Sequence, residues 1–191
     1  MHPAHRWWLL TSTTYGTWLP GDERGFVGRV LEQRPKDEPR HRQEHDQPGT
    51  PYDEHIPKLK AASTQLMKAK PVWFTADQAQ VVLAQFQETA TFRGWLLAAA
   101  SVMANHFHLV VAADADVLTD QLLRDFKSYA SRALNRQWPR TERWWTTSGS
   151  RRSLADELAQ HHAIRYTIRQ HHCLARWLNP NFGTIDSILS E

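Results

Sequence analysis

Residues 94–112 leave this chain the least freedom. GWLLAAASV (94–102) is almost wholly apolar, MAN (103–105) is short, and HFHLVVA (106–112) alternates at first and then runs apolar. A short apolar run bounded by a glycine and a turn reads as a buried strand. The run after it reads as its partner in a hairpin, with Met103-Ala104-Asn105 as the turn. His106 and His108 lie two apart on that second strand. A strand has a period of two, so both imidazoles share one face and Phe107 points the other way, into the core.

The remaining elements are read around this hairpin. RWWLLTSTT (6–14) is aromatic and β-branched, so it reads as a strand, and residues 16–28 follow as a turn-rich loop. Residues 29–57 hold RPKDEPRHRQEHDQPGTP with no apolar period, which reads as a flexible insertion. His41, His45 and His55 lie there at irregular spacing with no cysteine beside them, a poor pattern for a metal site. Thr75 and Gln78 form a capping box that opens a helix to about Thr91. Residues 116–137 make an amphipathic helix, with Leu118, Leu122, Phe126, Tyr129 and Ala133 on one side. Residues 142–147 read as a strand. Ser153 and Asp156 cap a last long helix over 154–177, ended by Asn179-Pro180 and followed by a tail at 179–191. The order is strand, helix, strand, strand, helix, strand. It predicts an α+β fold, a ferredoxin-like βαββαβ antiparallel sheet with helices on one face, and a further C-terminal helix. Residues 1–178 then form a single domain.

Charge and composition limit the function only loosely. Formal net charge is +3, a mild pointer to a polyanionic partner. Lysine is confined to Lys36, Lys58, Lys60, Lys68, Lys70 and Lys127, and arginine supplies the rest of the 23 cations. Arginine grips phosphate with a two-pronged fork. The single cysteine, Cys173, excludes an internal disulfide and fits a cytoplasmic protein. No run is apolar for long enough to span a membrane, and no secretory leader is evident.

Two histidines on a strand face are half of a metal site. Alone they do not choose a metal, and in a chain with 11 histidines a structural pair is the plainer reading. Two tyrosines, Tyr129 and Tyr166, fall on expected helices. Tyr129 lies on an apolar stripe, which suits a core position. Tyr166 has Ala163, His162 and Ala159 behind it and Gln170 one turn on, so small residues leave room beside the phenol. Gln170 offers an amide oxygen, a donor suited to Mg²⁺. Arg124, Lys127 and Arg132 on one helix, and Arg165 and Arg169 beside Tyr166, are candidate contacts to the phosphates of a polyanion.

The segment Val102-Met103-Ala104-Asn105-His106-Phe107-His108-Leu109-Val110-Val111 resembles the HUH signature of single-tyrosine HUH transposases. That superfamily holds the insertion-sequence-200-like transposases and the REP-associated tyrosine transposases. Ala104 stands where the signature usually has proline. Tyr166-Thr167-Ile168-Arg169-Gln170 resembles the second motif, a helix tyrosine followed four residues on by a metal ligand. The likeness spans residues 6–14 and 90–175. It implies a catalytic Tyr166, metal ligands His106, His108 and Gln170, and Mg²⁺ or Mn²⁺ as cofactor. It implies cleavage and rejoining of single-stranded, hairpin-containing DNA through a 5′-phosphotyrosine. It also implies a homodimer in which each tyrosine can serve the partner's histidines. Two other readings stand beside it: a domesticated hairpin- or repeat-DNA-binding protein of the same fold, and a metal-dependent hydrolase with no covalent step.

Overall fold

The computed structural model describes residues 5–24 and 55–190. Most of the expected insertion at 29–57, including His41 and His45, lies outside the described residues. The described chain sorts into two compact units, one of residues up to Tyr15 together with Val72 onward, the other of Gly16–Pro71. In the second unit, helix α1 (Pro57–Gln65) starts with proline in its first turn, where a missing N–H costs nothing. Asp22 there takes hydrogen bonds from the Arg24 guanidinium and an ion pair from Lys60. These two cations hold its carboxyl well below the usual carboxylate range. Among the described residues no helix is long and apolar enough to cross a membrane.

The larger unit is an antiparallel five-stranded sheet. Its strands are β1 (His5–Thr13), β2 (Leu96–Met103), β3 (His106–Asp114), β4 (Ser150–Leu154) and β5 (Cys173–Leu178), in the spatial order β4-β1-β3-β2-β5. The expected hairpin is β2–β3, at the middle of the sheet, and β1 pairs with the other side of β3. Helices α2 (Ala76–Arg93) and α3 (Thr119–Gln137) cover one face, as expected. Thr75 and Gln78 cap α2 reciprocally, and Gly94 ends it in the left-handed region at φ 68°. Phe86 meets Phe107 at 4.8 Å and Phe126 at 5.5 Å between ring centroids, which ties both helices to β3. Edge-on aromatic contacts of this kind add to the area buried.

The other face is covered by α4 (Glu157–Ile168) and α5 (Ile185–Ser190). Ala163, Ile164, Ile168 and Ile188 pack there on Ala98, Ala99, Val110 and Leu178. The sheet is therefore sandwiched, and β3 is buried on both sides.

Three boundaries differ from expectation. The long last helix over 154–177 is a strand, a helix and a strand: β4 takes Leu154, α4 stops at Ile168, and β5 begins at Cys173. Ala175 and Leu178 are buried three apart, a spacing that imitates a helix face. Between α4, which is capped at Arg169, and β5, His172 turns the backbone into the left-handed region at φ 53° just before the strand begins. Residues 142–147 are not a strand, apart from one bridge between Trp145 and Thr14. Both tryptophans are buried in the same core cluster, with Phe86, Phe107 and Phe126. Trp144 Nε1 donates to Asn135 Oδ1 and Trp145 Nε1 to the Lys127 carbonyl, which docks the segment on α3. The segment after Leu178, expected as a tail, carries a 3-10 turn (Pro180–Phe182) and α5.

Candidate active site

The hairpin register decides where the imidazoles point. His108 faces Thr11 on β1 and Ser101 on β2, and Ser101 in turn faces Arg176 on β5. Directly opposed residues on antiparallel strands share a face. Thr11, His108, Ser101 and Arg176 therefore form one row across the sheet, on the side covered by α4. His106 lies in the next row along β3, opposite Thr13. The two imidazole centroids are 5.0 Å apart, with their planes nearly perpendicular.

His108 is 5% exposed. Burial, helped by the neighbouring His106, pushes its pKa down to about 3, so it is neutral at physiological pH. A neutral imidazole keeps a lone pair for a metal ion. The hydrogen bonds favour the same nitrogen on both rings. His106 Nδ1–H donates to Asn105 Oδ1 at 2.7 Å, which leaves the lone pair on Nε2. His108 Nδ1 lies 2.6 Å from Thr11 Oγ1, and with the hydroxyl as acceptor the lone pair is again on Nε2.

Helix α4 begins at Asp156, whose side chain accepts from Ala159 N–H at 2.7 Å. Ala163, Ile164, Thr167 and Ile168 anchor it on the sheet. Tyr166 is left at the border of that face, 50% exposed, with its ring 5.1 Å from the His108 ring. The phenol and the buried imidazole thus come from one chain. Gln170 lies just past the helix. Its Nε2 donates to the Tyr166 carbonyl at 2.9 Å, and its Oε1 has no partner among the described residues. Among those residues no group of three histidine, cysteine, aspartate or glutamate side chains can hold a metal ion. Two imidazoles on one face are a donor set that a divalent cation accepts.

Tyr129 is elsewhere. It lies on α3, on the opposite side of the sheet, half-buried rather than in the core. Its ring touches Phe92 at 6.3 Å and stands under the guanidinium groups of Arg93 and Arg132. Of the other candidate cations, Arg165 and Arg169 belong to the tyrosine's own helix and its end. Arg124 and Arg132 are exposed on α3. Arg124 is close to Asp125. The Lys127 ammonium donates to the carbonyls of Thr146, Thr147 and Ser148, and burial with Arg151 nearby lowers its pKa to about 8. Its protons are spent on the chain itself.

Thr11 and Asn105, which orient the imidazoles, were not singled out by sequence reasoning. Thr11 carried little signal of its own, as the first of four consecutive hydroxyl residues, Thr11-Ser12-Thr13-Thr14. Nothing in the sequence aligns Arg176 with the histidine row, because that depends on β5 being a strand.

A family model described as "Transposase IS200 like" matches residues 56–155, a little over half of the chain. The matched span contains His106 and His108 and ends before Tyr166. Among solved structures, the chain is similar to a REP-associated tyrosine transposase bound to a REP hairpin. Identity is 11%, 88% of this chain and 68% of that one are covered, and the TM-score is 0.46. It is also similar to a protein described as a candidate transposase from Deinococcus radiodurans. There identity is 13%, coverage is 90% of this chain and 93% of that one, and the TM-score is 0.41. No curated protein matches.

Proposed function

The chain belongs to the IS200-like transposase family, and on that premise we propose that it cuts and rejoins single-stranded DNA through a covalent bond to Tyr166. The observation that carries this is the Tyr166 ring against the His108 ring, 5.1 Å apart. It supports a nucleophile and a metal-binding imidazole acting on one phosphate. Mg²⁺ or Mn²⁺ on His106, His108 and Gln170 would neutralise charge on the scissile phosphate and make phosphorus more electrophilic.

The chain's own residues supply the rest. Asn105 and Thr11 orient the two imidazoles. Helix α4, fixed by its buried face, holds the phenol at the site while leaving half of it open to a DNA strand. The Tyr166 oxygen loses its proton and bonds to phosphorus. The bond to the 3′-oxygen breaks, that oxygen leaves as a hydroxyl, and the 5′-phosphate stays on the tyrosine. One phosphodiester replaces another, so attack by a different 3′-hydroxyl reverses the step and joins strands without a nucleotide cofactor. Arg165 and Arg169 flank the nucleophile and suit phosphates near the cut. Arg124 and Arg132 lie across the sheet and suit a more distant part of the DNA, such as a hairpin stem.

The test is incubation with labelled single-stranded hairpin DNA and Mn²⁺, followed by denaturing electrophoresis. A covalent adduct is expected with the wild type and with Tyr129→Phe, and none with Tyr166→Phe. An adduct that persists in Tyr166→Phe overturns the assignment. Cleavage in that variant with no adduct at all would mark a hydrolase instead.

A further inference from the structure

Beside the row of site residues lies a cleft that takes in Arg169 and Gln170 and adds Arg176, a cation the proposed reaction has not yet used. It is a cavity of about 400 Å³ lined by Arg169, Gln170, His171, His172, Arg176 and Leu189. Two arginines line it and no carboxylate does. The Arg176 guanidinium donates to the Gln170 carbonyl through Nη2 at 3.2 Å, and Arg169 Nε donates to the Ile188 carbonyl at 2.9 Å. Each bond fixes one edge of a guanidinium. The other edge of each has no partner among the described residues. His172, in the left-handed region without being glycine, bends the chain around the cleft. A conformation of that kind survives only where the surroundings impose it.

Register ties the cleft to the histidines. His108, Ser101 and Arg176 are directly opposed on β3, β2 and β5. Two inter-strand spacings separate His108 from Arg176 along the backbone, about 10 Å. Gln170, whose amide is bonded to the Tyr166 carbonyl, lines the same cleft. A strand with its scissile phosphate at the imidazoles therefore runs towards Arg176 if it leaves on this side.

We propose that this cleft binds a backbone phosphate of the substrate strand, one flanking the phosphate that is cut, with Arg176 and Arg169 as its ligands. A phosphodiester matches the chemistry: two guanidinium forks, no competing carboxylate, and an open mouth. The proposal rests on the reading of His106, His108 and Tyr166 as the cleavage site.

The test is binding, measured by fluorescence anisotropy in a Tyr166→Phe background so that no covalent product forms. Single-stranded hairpin DNA is prepared with one linkage at a time replaced by an uncharged methylphosphonate. One neutral linkage next to the scissile position should weaken binding about tenfold, the loss of a charge-assisted contact. In Arg176→Gln the same replacement should have no further effect, and the salt dependence of log K should be shallower by about 0.7. Arg169→Gln should give the same pattern and serves if Arg176→Gln does not fold. Linkage profiles identical with and without the arginine overturn the proposal, as does a uniform loss at every linkage. The adduct assay reports separately. Linkage coupling without any wild-type adduct would keep the cleft and reject the cleavage reading. An adduct without coupling would do the reverse.

Discussion

Thr11 Oγ1 is 2.6 Å from His108 Nδ1, and that single contact decides which nitrogen of a buried imidazole faces outward. Removing it should not unfold the protein, because valine has nearly the same shape and the site is on a well-paired strand. Thr11→Val should leave the melting temperature within a few degrees of wild type. It should weaken Mn²⁺ binding about 10- to 100-fold, the usual effect of losing a partner that orients a histidine ligand. Titration calorimetry with Mn²⁺ alone checks this, and unchanged affinity would show that Thr11 does not orient the ring. Phe107, between the two histidines, does the opposite work. It is fully buried against Phe86 and Trp145 on the far face. Phe107→Ala should cost about 3–5 kcal/mol, seen as a lowered denaturation midpoint in urea. The His-Phe-His triplet is thus legible from sequence in both directions, since period-two alternation fixes each side chain's face.

The elements around the site depend on contacts that sequence patterns show poorly. Gly149 leads into β4, and a Cβ there would lie 2.5 Å from the Thr11 carbonyl oxygen and 2.7 Å from Leu123 Cδ2. The backbone oxygen cannot move aside without shifting β1. Gly149→Ala should therefore destabilise by about 1–3 kcal/mol and also weaken Mn²⁺ binding, through displacement of Thr11. A thermal melt and the same calorimetric titration check both, and an unchanged melt would rule out the close approach. Lys127, which reads from sequence as a DNA contact, bonds three successive carbonyls of the 146–148 loop. Lys127→Met should cost about 2 kcal/mol, a fall of roughly 4–8 °C in melting temperature for a chain of this size. If the variant instead melted like wild type and bound single-stranded DNA with a shallower salt dependence, Lys127 would be a phosphate ligand after all.

At the scale of the whole molecule, the two faces of the sheet carry different things. Helices α2 and α3 close one face with an aromatic core, while α4 brings Tyr166 over the histidine row on the other. Because the phenol and the imidazole meet within one chain, a mixture of His108→Ala and Tyr166→Phe proteins should form no adduct, even if the protein is a dimer. Adduct recovered on mixing would mean that the tyrosine serves a partner's histidines. Sequence alone determined the central hairpin, the histidine face, the capped α2 and the amphipathic α3. Each of these rests on local periodicity or on a short motif, and local signals survive without knowledge of the fold. Only the tertiary structure decided that 173–178 is a strand, that α4 lies opposite α2 and α3, and that Thr11 and Arg176 fall in one row with the hairpin pair Ser101 and His108. Those are facts of register between strands far apart in the chain, and no window of sequence contains both partners of such a pair.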